Sequence, residues 1–207
     1  MMSLDTIHIA SAVEAARQSD VAILFCGSSS ASLARDYNET NCGEGFDLAD
    51  LALTGAQGKL IKAIHATGKP VILVLVTGKP FSIAWEKKHI PAILIQWYAG
   101  EQEGSSIANI LFGKTNPSGH LTVSFPQSSG HLPAYYNYLP TDRGFYHKPG
   151  SYEQPGRDYV FSSPGPLWAF GHGLTYTTFN YTDMQIQQSI DSIKVFVTVK
   201  NTGRWAG

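Results

Sequence analysis

Val21-Ala22-Ile23-Leu24-Phe25, closed by Cys26-Gly27, carries the strongest strand signal in the chain and sets its expected architecture. Five apolar residues stand in a row after Asp20. A strand with one wet face alternates, so a continuous run predicts a strand buried on both faces. The same pattern recurs at Val71–Val76, after Gly68-Lys69-Pro70, and at Ala92–Gln96, entered through Pro91. Helical stretches separate the runs. Residues 9–18 are amphipathic. Thr54 is the expected N-cap of a helix running to about Ala66, with Leu60, Ile61 and Ile64 on one face and Gly68 as its stop. Residues 83–87 suit a short helix, and residues 105–112 a longer one closed by Gly113. This alternation predicts an α/β fold: a mostly parallel sheet with crossover helices. Ligands of such sheets sit at the carboxyl ends of the strands, and the loops beginning at Gly27, Thr77 and Trp97 all leave those ends.

Past Asn116-Pro117-Ser118-Gly119 the character changes. Residues 127–173 are rich in Pro, Gly, Tyr and His and read as an irregular, aromatic-lined extension. Residues 193–199 alternate, with Ile193, Val195, Val197 and Val199 inward and Lys194, Phe196 and Thr198 outward, as in a half-buried strand of an antiparallel module. The expected division is an α/β domain over 1–126, an irregular linker over 127–177 and the start of a β module over 178–207.

The 207 residues are 43% apolar and 15% charged, which fits a packed globule and not a disordered chain. A net charge of -1 offers no pull toward nucleic acid or an anionic membrane. No apolar run is long enough to span a bilayer, and the first twenty residues lack the basic and apolar regions of a signal peptide. Cys26 and Cys42 leave both a disulfide and two thiols open. None of the seven histidines pair at metal-ligand spacing, so neither a metal nor a cofactor is expected.

The long polar loop over 27–50 carries the candidate chemistry. Asp36, Glu39, Glu44, Asp47 and Asp50 crowd it, and Gly43 and Gly45 flank Glu44. General acid work on an acetal needs a carboxyl whose pKa is raised by burial or by a second carboxylate. Flanking glycines let a backbone approach a ligand closely. The plainer reading is a solvated acidic loop, and on the residues alone it stands ahead. Gly100-Glu101-Gln102-Glu103-Gly104 matches neither a dinucleotide fingerprint nor a P-loop and suits an acidic first helical turn. Ser28-Ser29-Ser30 lacks the nucleophile-elbow pattern. Trp85, Trp97, Tyr98, Tyr135, Tyr136, Tyr138, Tyr146 and Trp168 fit either a sugar-stacking surface or ordinary core.

The ordered set of motifs resembles the second domain of glycoside hydrolase family 3, the β-glucosidases, β-xylosidases and related exo-acting enzymes. The matching pieces include Gly43-Glu44-Gly45-Phe46-Asp47, Gly68-Lys69-Pro70-Val71-Ile72-Leu73-Val74, Gln96-Trp97-Tyr98-Ala99-Gly100-Glu101 and Asn116-Pro117-Ser118-Gly119-His120-Leu121. Leu111-Phe112-Gly113, Phe125-Pro126 and the run from Pro166 through Gly171-His172-Gly173-Leu174-Thr175-Tyr176 complete the set. Asn201-Thr202-Gly203 resembles the opening of the family's fibronectin-III-like domain.

The resemblance implies part of an (α/β)6 sandwich that lends an acid/base loop to a (β/α)8 barrel bearing an Asp nucleophile, in a retaining two-carboxylate mechanism. Glu44 is the implied acid/base and Glu39 the second choice, with Arg35 and Asp47 as substrate-binding neighbours. The implied partners are a β-linked oligosaccharide or glycoside and the barrel domain. The family's compartments, periplasmic or secreted, are implied only by likeness. Departures stand at Asp47-Leu48, where the family usually has Asp-Arg, and at Leu53-Thr54, where it has Leu-Pro. With no barrel or early sandwich strands in view, the chain reads as a fragment, inactive alone. Its truncated sheet is expected to expose an apolar edge and to self-associate. A non-catalytic carbohydrate-binding or interaction module is the alternative reading.

Overall fold

The computed structural model describes residues 5–29, 48–137, 153, 162–163 and 165–207. Its described elements run α1 (Ile9–Arg17), β1 (Ala22–Gly27), α2 (Gln57–His65), β2 (Val71–Val76), α3 (Ala84–His89), β3 (Ala92–Gln96), α4 (Glu103–Leu111), a 3-10 turn (Ser129–His131), β4 (Phe179–Gln188) and β5 (Ile193–Asn201). The chain divides into two compact units, residues 1–103 with 122–170, and residues 104–121 with 171–207.

The first unit holds the predicted α/β core. Strands β1, β2 and β3 form a parallel sheet in that order. Register sets Leu24 beside Leu73 and Leu73 beside Ile93, so these side chains share one face. Phe25, Val74 and Leu94 share the other. Helix α1 packs on α2, and α2 on β1. Ile61 and Ile64 of α2 are wholly buried, as are Leu73, Val74 and Leu75 of β2. Burying one such side chain contributes about 1.5–3 kcal/mol, so this layer is where the unit's stability is concentrated.

Two expectations need correction. β1 is not buried on both faces: Ile23 and Phe25 are exposed, Phe25 to 61%, and among the described residues no layer covers that face. Thr54 does not cap α2, which starts at Gln57 after Ala56 without a side-chain cap. The carbonyl and hydroxyl of Thr54 instead accept from the Gln57 side-chain amide, at 3.1 and 3.3 Å. Gly68 follows the helix with φ +77°, as a stop requires.

Farther along this unit, Phe125 is fully buried and its N–H donates to the Trp168 carbonyl, while Leu167 N–H donates back to Phe125 O at 2.7 Å. The Lys87 ammonium lies over the Trp168 ring and donates to the Leu167 carbonyl. The aromatic extension is thus tied to Phe125 by backbone pairing, and to α3 by the Lys87 hydrogen bond and cation–π contact.

In the second unit, β4 and β5 pair antiparallel, with a register shift between Thr182 and Gln185 where Asp183 takes φ +57°. The half-burial expected for residues 193–199 is absent: every residue of β5 is exposed, on both faces. A two-stranded ribbon has no third layer to alternate against. Within the same unit the Asn116 carboxamide oxygen accepts from Thr175 Oγ1 and from Tyr176 N–H, both at 2.7 Å, and Tyr176 Oη donates to Ile110 O. Leu121 N–H donates to His172 O, and Gly171 N–H donates to Leu121 O. The motifs at 116–121 and 171–176 therefore bind each other, a structural role.

Candidate functional site

The carboxyl ends of β1 and β2 carry a side-chain network built from residues distant in sequence. Parallel pairing turns Ala22 N–H toward Pro70 O and Ser28 N–H toward Val76 O. Alternation along the strand then points the N–H and C=O of Gly27 to the open edge. The Gln57 carboxamide meets both: Gly27 N–H donates to Oε1 at 2.6 Å, and Nε2 donates to Gly27 O at 2.9 Å. Gln57 thus occupies the place of a neighbouring strand for one residue. Gly27 itself admits no side chain, since its φ is +147° and a Cβ would lie 1.8 Å from Val76 O.

Ser28 is held from the other side. Tyr98 Oη donates to Ser28 O at 2.9 Å. The fully buried Thr77 hydroxyl donates to Lys79 O at 2.8 Å. With both those protons committed, the Ser28 hydroxyl donates toward Thr77 Oγ1 or Tyr98 Oη, at 3.3 and 3.1 Å. Gly78 makes room: a Cβ there would meet the Tyr98 ring at 2.8 Å.

A second node stands where the chain comes back into the described residues. Ser129 Oγ donates to Asp50 Oδ1 at 2.9 Å and accepts from Leu51 N–H at 3.0 Å. Asp50 Oδ1 also accepts from Ala52 N–H, and Ser82 N–H donates to Leu51 O. Hydrogen bonds from Ala52 N–H and then from Ser129 hold the Asp50 carboxyl below the ordinary Asp range. Asp50 is therefore an anionic acceptor near neutral pH and unsuited to donate a proton.

Of the residues singled out in the sequence, Glu44, Glu39, Arg35 and Asp47 lie outside the described residues, as do Asp36, Cys42, Tyr138 and Tyr146. Cys26 is a free, buried thiol whose pKa is pushed up to about 11, first by burial and second by the Glu86 carboxylate, so it is not a nucleophile at neutral pH.

The aromatic residues divide. Trp97 and Trp168 pack on Phe125, and Trp85 stacks on His89 at 4.3 Å with His65 edge-on. These are packing roles. Tyr135 and Tyr136 are exposed, and Tyr136 stacks on Phe170 at 4.8 Å. The meeting of His65 with His89 escaped the sequence reading because it joins two helices and follows no local spacing. Among the described residues no group of three or more His, Cys, Asp or Glu gathers to hold a metal ion, and no helix is long and apolar enough to cross a membrane. The Gln57 and Ser129 contacts were also missed, since nothing in the local pattern signals pairing across 30 and 79 positions.

Comparison with known proteins places the chain. Residues 5–176 match the model of the glycosyl hydrolase family 3 C-terminal domain. A β-xylosidase of Formosa agariphila is 40% identical over 204 residues, and the periplasmic β-glucosidase of Salmonella typhimurium is 38% identical over 201; each match covers 95% of this chain. The chain spans about a quarter of those relatives' length, 25% in both. Among solved structures, the β-glucosidase from Listeria innocua superposes with a TM-score of 0.80 at 30% identity, over 100% of this chain and 28% of that one. The same enzyme has been solved with glucose and, as a mutant, with laminaribiose. With a family match over most of its length and relatives well above 30% identity, the chain belongs to glycosyl hydrolase family 3, as its C-terminal domain.

Proposed function

We propose that this chain supplies the general acid/base and part of the sugar site of a retaining, exo-acting β-glycosidase, acting with a (β/α)8 barrel that bears an Asp nucleophile. Glu44 is the first choice for the acid/base, Glu39 the second, and Arg35 and Asp47 are polar neighbours. The observation that carries the reading is the family match over residues 5–176, which spans Gly43-Glu44-Gly45 and the strand ends from which that segment departs. In the retaining mechanism one carboxyl protonates the leaving oxygen and later activates water, while a second carboxylate attacks the anomeric carbon. Hydrogen bonds hold the Asp50 carboxyl low and unsuited to donate a proton, and the family motif Gly43-Glu44-Gly45 puts the proposed donor in the segment 30–47.

The assignment divides the labour between two polypeptide regions, so the chain alone does not turn over. The test is hydrolysis of an aryl β-glucoside by the purified chain, by a family 3 barrel domain, and by the two mixed. Activity in the mixture alone supports the reading. Robust turnover by the chain alone contradicts it.

A second reading draws on the exposed Tyr136–Phe170 stack with Tyr135 beside it in sequence. As a carbohydrate-binding module the chain would bind cellobiose in isothermal titration without the barrel, and lose that heat in Tyr136→Ala.

A further inference from the structure

One cluster of titratable side chains takes no part in the proposed glycosidase chemistry. His65 is the last residue of α2 and His89 the last of α3, and Trp85 of α3 meets both. His89 stacks on Trp85 with ring centroids 4.3 Å apart and 18° between the planes. His65 lies 5.4 Å from Trp85 and 5.6 Å from His89, at 81° to each. A ring stacked above His89 would be nearly twice as far from Trp85. The near-equal distances therefore set His65 beside the stack, at the rims of both rings, and ring nitrogens carry their lone pairs at the rim. Both imidazoles are half-buried, so solvent reaches them. We propose that His65 and His89 form a two-imidazole site for a late divalent transition metal ion, bridging α2 and α3.

Tautomer, span and preorganisation all favour an ion there. His89 Nδ1 lies 2.8 Å from the Trp85 carbonyl oxygen, which can only accept. Nδ1 therefore holds the proton, and Nε2 of the neutral ring keeps its lone pair. Metal-ligating histidines are oriented in this way, one nitrogen donating to a carbonyl and the other left for the ion. With metal–nitrogen bonds of about 2.0–2.1 Å, two imidazoles on one ion have their centroids roughly 5–6 Å apart. The observed separation is 5.6 Å. The Trp85 stack and the carbonyl bond fix His89 before any ion arrives, which lowers the ordering cost of binding. Neither nitrogen of His65 is hydrogen-bonded among the described residues.

No third His, Cys, Asp or Glu joins the pair among the described residues. Water completes the coordination, so the site is exchangeable and not a closed structural one. Imidazole selects Cu²⁺, Ni²⁺ and Zn²⁺ over Mg²⁺ and Ca²⁺, which take oxygen ligands. The Lys62 ammonium, 5.2 Å from the Trp85 ring centre, opposes a cation there and moderates the affinity.

Isothermal titration of the full chain with Cu²⁺ is the test, with Ni²⁺, Zn²⁺ and Mg²⁺ alongside. One Cu²⁺ per chain is expected, held more tightly than Ni²⁺ or Zn²⁺, with no heat from Mg²⁺. His65→Ala and His89→Ala should each weaken Cu²⁺ binding at least tenfold, and Lys62→Gln should tighten it. Trp85 gives a local readout: Cu²⁺ beside His89 quenches the stacked indole, so Trp85→Phe should keep the binding and lose most of the quenching. Electron paramagnetic resonance of the Cu²⁺-loaded wild-type chain needs no variant and should show two equatorial nitrogens. Cu²⁺ uptake undiminished in both histidine variants means an adventitious ion only and overturns the proposal. Loss in one variant alone overturns it too, as does a single-nitrogen spectrum. Ring packing without a metal role predicts no uptake at all, and that result would also overturn it.

Discussion

Strand β2 and strand β5 are both rich in Val and Ile, yet one lies at the centre of a core and the other has both faces in solvent. Leu73, Val74 and Leu75 have no exposure, whereas Ile193, Val195, Val197 and Val199 are 47–66% exposed. β2 is flanked by strands on both sides and belongs to the layer that α2 covers. β5 has one partner and nothing above or below it among the described residues. The contrast teaches that apolar pattern reports a strand's capacity for burial, while the neighbours decide whether that capacity is used. β1 makes the point within one sheet: its run is as apolar as that of β2, and Phe25 still stands in solvent.

The largest effect that sharpens this contrast is a truncation in β2. Leu73→Ala leaves a cavity in a closed layer and should cost about 2–5 kcal/mol in urea unfolding. Val197→Ala on β5 should change stability by no more than about 0.5 kcal/mol. Comparable losses at the two sites would break the comparison.

A smaller effect is expected at the edge of the same sheet. Gly27→Ala forces a Cβ against Val76 O at a φ of +147°, and should cost more than about 1 kcal/mol although Gly27 buries no side chain of its own. A neutral outcome in thermal unfolding would mean that the β1 terminus shifts freely and the Gln57 contact is loose.

A pH dependence is expected in the first unit as well. The folded-state pKa of Cys26 is raised from 9.0 to about 11. The raised value means that the folded state favours the neutral thiol. Its contribution is full below the unfolded pKa and is lost as pH rises from 9.0 toward 11. Stability of the α/β unit should therefore decline over that interval, and Cys26→Ala should flatten the decline. An unchanged slope in the variant would contradict the burial account.

Much of this was legible in the sequence, for physical reasons. β2 and β3 match the expected bounds because a fully apolar run between Gly or Pro punctuation has few other fates. α2 begins later than expected because Thr54 serves the Gln57 amide and not a helix end. β4 falls inside the β module expected over 178–207 but was not itself delimited as a strand. Its Asn180, Asp183, Gln185, Gln187 and Gln188 are poor strand formers, and the irregularity at Asp183 breaks the two-residue period. The family motifs gave the likeness, and the described structure shows Asn116 and the His172 carbonyl joining the motifs at 116–121 and 171–176 to each other. The Gln57 contact at Gly27 was invisible because a side-chain amide standing in for a strand leaves no periodic trace.

The most direct test of the central claim is the leaving-group dependence of Glu44→Gln, with Glu39→Gln in parallel, in the chain mixed with a family 3 barrel domain. Loss of a general acid should slow alkyl β-glucoside hydrolysis by about 10²–10⁴-fold. The dinitrophenyl glucoside needs little protonation, so its glycosylation step should change far less. The account predicts that pattern for Glu44→Gln and near wild-type rates for Glu39→Gln. Wild-type rates in Glu44→Gln on both substrates would contradict it.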